Sequence, residues 1–141
     1  MQNCMQAWTW AEPGQPTDLI LRHLERPQPQ AGEVLIENHA VGLNPVDWKF
    51  IDWGHPRWPD GHIPGVDGAG LVIATGAGVA LPVGSRVAYH QSLFRDGSFA
   101  SHSVLAADMV MRCWRTSRSS ACKVCRCRHS PLMPYPRHCR R

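Results

Sequence analysis

The sequence predicts a mainly β fold over residues 1–108, a partly open β-barrel with one short helix, followed over 109–141 by a basic, cysteine-rich tail that reads as disordered. Three observations predict it. Short runs of β-branched and aromatic residues recur at close spacing. The turns between them are dense in Gly and Pro. The clearest apolar pattern has a period of two, which belongs to a half-buried strand rather than a helix. A chain of 141 residues allows one compact domain and little more, and about 100 residues can bury a working core without disulfides.

The elements follow in order. Ala7-Trp8-Thr9-Trp10 reads as the first strand and stops at the turn signal Glu12-Pro13-Gly14. A start at Met5 would be tidier, so the first four residues read as an over-called beginning. Leu19 to Leu24 is a second strand, closed by Pro27. Gln30-Ala31-Gly32 then turns into Glu33 to Val41, where Val34, Ile36 and Ala40 alternate with Glu33, Glu37 and His39. The helix begins at Asn44, a good N-cap, with Pro45 suited to the first helical position and Asp47 favourable near the positive end of the dipole. Further strands read at Leu71 to Thr75, Arg86 to His90 and Phe99 to Leu105. Gly65, Gly68 and Gly70 make a tight corner of the barrel the simplest reading of that stretch. Neither Gly68-x-Gly70 nor Gly76-x-Gly78 continues to a third Gly, a helix and a ribose-binding acid, so neither is a dinucleotide fingerprint.

The net charge of +4 conceals a division. Up to Asp108 there are 6 basic residues and all 11 acids; beyond it there are 9 basic residues and no acid. Five of the six cysteines lie from Cys113 onward. Such asymmetry signals a nucleic-acid or membrane tail, or a segment of different origin. The tail has no period of 2 or 3.6 and too little apolar content to offset the entropy of ordering. Lost acids, lost periodicity and gained cysteines coincide at about residues 109–113, as a shift of reading frame would produce. Cys122, Cys125, Cys127, His129, His138 and Cys139 are zinc-ligand types, but their spacing fits no zinc knuckle, and chance clustering in a biased segment explains them. The N-terminus lacks a secretory pattern. The longest apolar stretch, Gly65 to Gly84, is broken by Asp67 and Pro82 and falls short of a membrane span. A cytoplasmic protein with free thiols is the expectation.

Three stretches, read in order, carry a resemblance. They are Ala31-Gly32-Glu33-Val34-Leu35-Ile36; Val41-Gly42-Leu43-Asn44-Pro45-Val46-Asp47-Trp48-Lys49; and Ile63-Pro64-Gly65-Val66-Asp67-Gly68-Ala69-Gly70-Leu71-Val72. Gly84-Ser85-Arg86-Val87-Ala88 and Gly97-Ser98-Phe99-Ala100 follow at fitting positions. Together, over about residues 5–108, they resemble the GroES-like catalytic domain of the medium-chain dehydrogenase/reductase superfamily, and within it the zinc-independent quinone oxidoreductase branch. The resemblance implies an oxidoreductase that takes NADP(H) or NAD(H) and passes hydride to a small-molecule quinone, enone or carbonyl acceptor. It implies that Asn44 faces the nicotinamide and that Asp47 and Lys49 order its loop and water. Zinc-dependent relatives place a Cys and a His where this sequence has Asn44 and Val66, so the resemblance implies no zinc. It also implies a second, doubly wound nucleotide domain. Without one, the chain is expected to bind cofactor poorly, to be inactive alone and to self-associate through an exposed apolar face.

From the residues alone, Asn44 and Asp47 serve equally well as helix caps, and Lys49 as a solvated charge. Trp48, Phe50, Trp53 and Trp58 form the densest aromatic patch. Trp48 and Trp53 are the candidates for a substrate wall, with core packing the role of at least two of the four. Tyr89 is the remaining candidate proton donor. His39, His55, His62, His90 and His102 form no paired motif and read as surface or structural residues. Two other classes stay open: a GroES-like binding or assembly module, and a nucleic-acid binder acting through Arg118 to Arg141.

Overall fold

The computed structural model describes residues 3–113. Seven strands and one α-helix follow along the chain: β1 (Cys4–Thr9), β2 (Ile20–Glu25), β3 (Glu33–Gly42), α1 (Pro45–Trp53), β4 (Asp67–Thr75), β5 (Arg86–His90), β6 (His102–Ala106) and β7 (Val110–Arg112). Short 3-10 turns occupy Pro16–Asp18 and Ala107–Met109. The fold is mainly β with one short helix, as the sequence predicts. β1 and β2 form a two-stranded sheet, and the other five lie in the order β6-β3-β4-β5-β7. Every pairing is antiparallel. The two sheets are joined where Trp8 N–H donates to Phe99 O and Ser101 N–H to Gln6 O, both at 2.8 Å.

Two apolar clusters form the core. One lies on the large sheet and contains Val34, Ile36, Val72, Val87, Tyr89 and Leu105. The other lies between β1, α1 and the following loops, and contains Met5, Ala7, Trp10, Leu19, Ile51, Trp58, Ile63 and Phe99. Trp10 ties β1 to α1, because its indole N–H donates to the Ile51 carbonyl at 3.1 Å.

Several boundaries differ from the sequence reading, each for a physical reason. Cys4 belongs to β1, paired with Glu25, whereas Trp10 has left the strand and bonds to His62 O. β4 begins at Asp67, four residues before the expected Leu71, so the run Asp67-Gly68-Ala69-Gly70 is strand rather than turn. A Cβ at Gly70 would overlap the Glu37 carbonyl of β3, so close backbone approach, not turn formation, requires that glycine. Gly65 is the corner, with φ 101°. Leu35 is buried although it lies on the face opposite Val34 and Ile36, which share the sheet cluster, so both faces of β3 are covered there. The expected boundary at Asp108 is also corrected. Val110–Arg112 pairs with β5 across Val87, Ala88 and Tyr89, so the sheet runs past Asp108. A three-residue strand is too short to show a period, and its partners lie more than twenty residues away. The expectation of a disordered tail and the cysteine and histidine group at Cys122 to Cys139 otherwise lie outside the described residues.

Candidate functional site at the start of α1

Asn44 has extended backbone angles, φ −117° and ψ 154°, and Pro45 follows at the first helical position. Its N–H donates to Asp47 Oδ2 at 2.8 Å, so the third helical residue satisfies an amide that the helix itself leaves open. The helix stops at Gly54, whose φ of 69° suits glycine and whose N–H bonds back to Phe50 O at 2.9 Å.

Asp47 is only 3% exposed, and its Oδ1 makes no hydrogen bond. Burial holds its carboxyl above the usual carboxylate range, and the neighbouring Asp67 adds to this. The backbone amides of Asn44 and Val66 and the Asn44 side chain oppose the shift. Asn44 Nδ2 donates to Asp67 Oδ2 at 2.9 Å. The other carboxylate oxygen of Asp67 lies 2.7 Å from His90 Nδ1. Asp67 and His90 meet because they are cross-strand partners on β4 and β5. Gly42 leaves the room, since a Cβ there would come within 2.8 Å of Asp67 Cβ.

A cleft of ≈ 510 Å³ opens at this helix start, lined by Leu43, Asn44, Asp47, Trp48, Ile51 and Phe99 among others. The structure thus brings together three of the expected site residues, Asn44, Asp47 and Trp48. It leaves the others elsewhere. Lys49 does not line the cleft, and its ammonium lies 5.9 Å from the Trp48 ring centroid. Trp53 ends the helix, 66% exposed and outside the cleft. Phe50 and Trp58 pack in the core, where Trp58 meets Trp10 edge-on at 5.6 Å and stacks on His62 at 4.2 Å. The four aromatics therefore divide into two core residues and two exposed ones.

Tyr89 is corrected. It is 3% exposed, and its hydroxyl donates inward to Asn38 Oδ1 at 2.6 Å, with Ser103 Oγ at 3.2 Å. Burial pushes its pKa up to about 12. A phenol so placed cannot hand a proton to a molecule in the cleft, because the position inside β5 that makes it look available also turns it into the core. Asp67 and His90 are the residues that sequence reasoning missed. A lone acid inside a glycine run was a signal for Asp67, but its meeting with His90 depends on strand register, which no local pattern shows.

A second cavity of ≈ 680 Å³ includes Glu33, Arg57, His62, Arg95, Asp96 and His102. Its charges pair among themselves, with Arg95 2.6 Å from Glu33 and His62 3.6 Å from Asp96. They do not converge on one point. Among the described residues no group of three or more His, Cys, Asp or Glu side chains is placed to hold a metal ion.

The chemistry available in the first cleft is recognition of a flat, mostly apolar group. Trp48, Leu43 and Phe99 offer the wall, and the Asn44 amide and the Asp47 carboxyl offer the few directional contacts such a pocket uses. Residues 30–130 match the family described as the alcohol dehydrogenase GroES-like domain, a match that also passes Asp108. A trans-enoyl reductase of Fusarium mangiferae is 36% identical over 87 residues, 61% of this chain and 22% of the relative. One of Aspergillus sclerotiorum is 37% identical over 114 residues, 74% of this chain and 30% of the relative. The chain thus spans under a third of the length of these curated relatives. A mycobacterial protein solved in complex with NADPH superposes with a TM-score of 0.68 at 30% identity, over 77% of this chain and 32% of the other. The chain belongs to the alcohol dehydrogenase GroES-like domain family of the medium-chain dehydrogenase/reductase superfamily.

Proposed function

We propose that this domain forms the acceptor-facing wall of an NAD(P)H-dependent, zinc-independent reductase acting on an activated double bond, an enone in preference to a quinone or simple carbonyl. The observation that carries the reading is the placement of Asn44, Asp47 and Trp48 in one cleft. The trans-enoyl reductases among its relatives favour the enone, and the NADPH in a solved relative favours the cofactor.

The cleft fits one end of that cofactor. A nicotinamide ring is flat and carries one amide, which suits an apolar wall with one fixed amide beside it. The described strands are all antiparallel and include no strand–helix–strand crossover with a glycine-rich phosphate loop. Binding of the remaining dinucleotide therefore rests on residues outside those described. When bound, the nicotinamide would supply the hydride. The chain's own residues would orient and enclose. Asn44 would fix the ring side, Trp48 would shield the face from water, and Asp47 would hold the Asn44 loop through its backbone amide. Zinc fits poorly. At the two positions where a catalytic ion would need donors stand an amide already bonded to Asp67 and the apolar Val66.

The test uses the isotope-labelled 141-residue chain, titrated separately with reduced nicotinamide mononucleotide and with a small enone. Shifts confined to residues 43–48 and 99 support the site, and shifts elsewhere or none at all overturn it. Trp48→Ala should weaken the response about tenfold, the effect of losing one aromatic wall worth roughly 1.4 kcal/mol. The chain alone should show little or no NADPH-dependent turnover, and vigorous enone reduction by it would refute the incomplete cofactor site. We also propose a cytoplasmic location, where thiols stay reduced. The exposed Leu43, Trp48 and Trp53 are the surface through which it would self-associate. We also propose that the change of composition beyond Cys113 reflects a shifted reading frame. Translating the other two frames past codon 113 should reveal alternating strands and helices with a Gly-rich turn; random sequence in both ends the idea.

A further inference from the structure

The geometry points to Asp67 and His90 as positioning residues that select the orientation of the Asn44 amide at the cleft. The inference rests on the reading of that cleft as a ligand site, and it concerns residues that neither line the cleft nor were singled out by sequence.

An asparagine amide can sit either way round, with its NH2 or its C=O on a given side. An ionised carboxylate only accepts hydrogen bonds, so Asp67 Oδ2 at 2.9 Å admits only the NH2 end of Asn44. The C=O end of that amide is then turned away from Asp67. The selection holds only while Asp67 keeps its orientation. Its carboxylate is 42% exposed, and solvent alone would let it rotate. His90 is what holds it. Because Asp67 Oδ1 accepts, the 2.7 Å contact requires the hydrogen on His90 Nδ1. Strand register makes the arrangement rigid, since Asp67 and His90 face each other directly across β4 and β5.

The order of dependence is therefore His90, then Asp67, then the Asn44 side chain. The experiment reads the Asn44 side-chain NH2 signals by proton–nitrogen correlation in the 141-residue chain. In the parent chain, one proton should be shifted downfield and slow to exchange. His90→Ala should return it toward a free amide and speed its exchange about tenfold, the factor expected from weakening one charge-assisted hydrogen bond. His90→Gln, which restores an N–H donor to Asp67, should recover most of the parent signal. Asp67→Asn should abolish the distinction between the two amide orientations. Unchanged Asn44 signals in His90→Ala overturn the inference, as does a glutamine that fails to rescue them. Backbone spectra matching the parent establish that the exposed His90 variants remain folded. Titration with reduced nicotinamide mononucleotide is recorded separately. A chain that passes the amide test but binds nothing in the cleft refutes the proposed function and leaves the positioning intact.

Discussion

The two halves of the core are built on different principles. The sheet cluster draws on Val34 and Ile36 of β3, Val72 of β4, Val87 and Tyr89 of β5 and Leu105 of β6, five aliphatic residues and one tyrosine all carried on strands. The cluster under α1 draws on Met5, Trp10, Ile51, Trp58 and Phe99, large side chains delivered singly by a strand end, a helix and loops. The first is periodic and its polar member is satisfied by Asn38 and Ser103. The second is aperiodic and borders the cleft, where Asp47 keeps a carboxylate oxygen without a partner. A repetitive scaffold thus sets the frame, and an irregular aromatic packing sets the site.

Substitutions can break this contrast at several depths. The largest effect belongs to Gly70→Ala, whose added methyl would collide with the Glu37 backbone and separate β3 from β4. A loss of about 5 kcal/mol, enough to prevent folding, is expected in urea titration. Leu105→Ala and Trp58→Ala should each cost about 3–4 kcal/mol, one in each cluster. They should differ in where the structure loosens. Hydrogen exchange should quicken along α1 in Trp58→Ala, because Trp58 packs on the Trp10 that holds Ile51, and should spare α1 in Leu105→Ala. Equal protection of α1 in both variants would dissolve the distinction between the two cores.

Alkali offers a gentler probe of the sheet half. The buried Tyr89 phenol titrates near 12 instead of 10, so the folded chain holds its proton more tightly than the unfolded one. Its stabilising contribution is complete below pH 10 and disappears as the pH rises from 10 toward 12, a loss of at most about 3 kcal/mol. Tyr89→Phe should flatten that part of the stability profile; a profile unchanged by the substitution would mean that another group governs it. The smallest effect is expected from Trp53→Ser. The ring is 66% exposed and outside the cleft, so stability should stay within about 0.5 kcal/mol of the parent. A marked drop in self-association on sedimentation would show where its apolar surface matters.

What was legible in the sequence follows the same divide. β3, β5 and the Asn44-capped helix were readable because period-two alternation and capping chemistry act within a few residues. The division of the four clustered aromatics into two core and two exposed rings was readable in number but not in full assignment. The early start of β4 was hidden, because Gly68 and Gly70 mark close packing against Tyr89 and Glu37, which lie far off in sequence. β7 was hidden too, since three residues carry no period and only β5 gives them meaning. The site was half legible. Asn44, Asp47 and Trp48 sit within one helical turn of each other, whereas Asp67 and His90 join them through pairing over 23 residues. Tyr89 was misread because strand residues alternate sides, and which side faces inward is decided by the partner strands.

The seam between β1 and residues 99–101 has a consequence for how the chain is made. Gln6 N–H reaches Ser101 Oγ at 3.1 Å across 95 positions, so β1 joins the large sheet only when a segment far along the chain meets it. Closing such a distant loop is slow. Until it closes, β1 rests on β2 alone, and Met5, Ala7 and Trp8 lack the cover that residues 99–101 bring. Relocating the N-terminus by circular permutation to the exposed Gly78 turn should bring late and early segments together sooner and raise the yield of refolding.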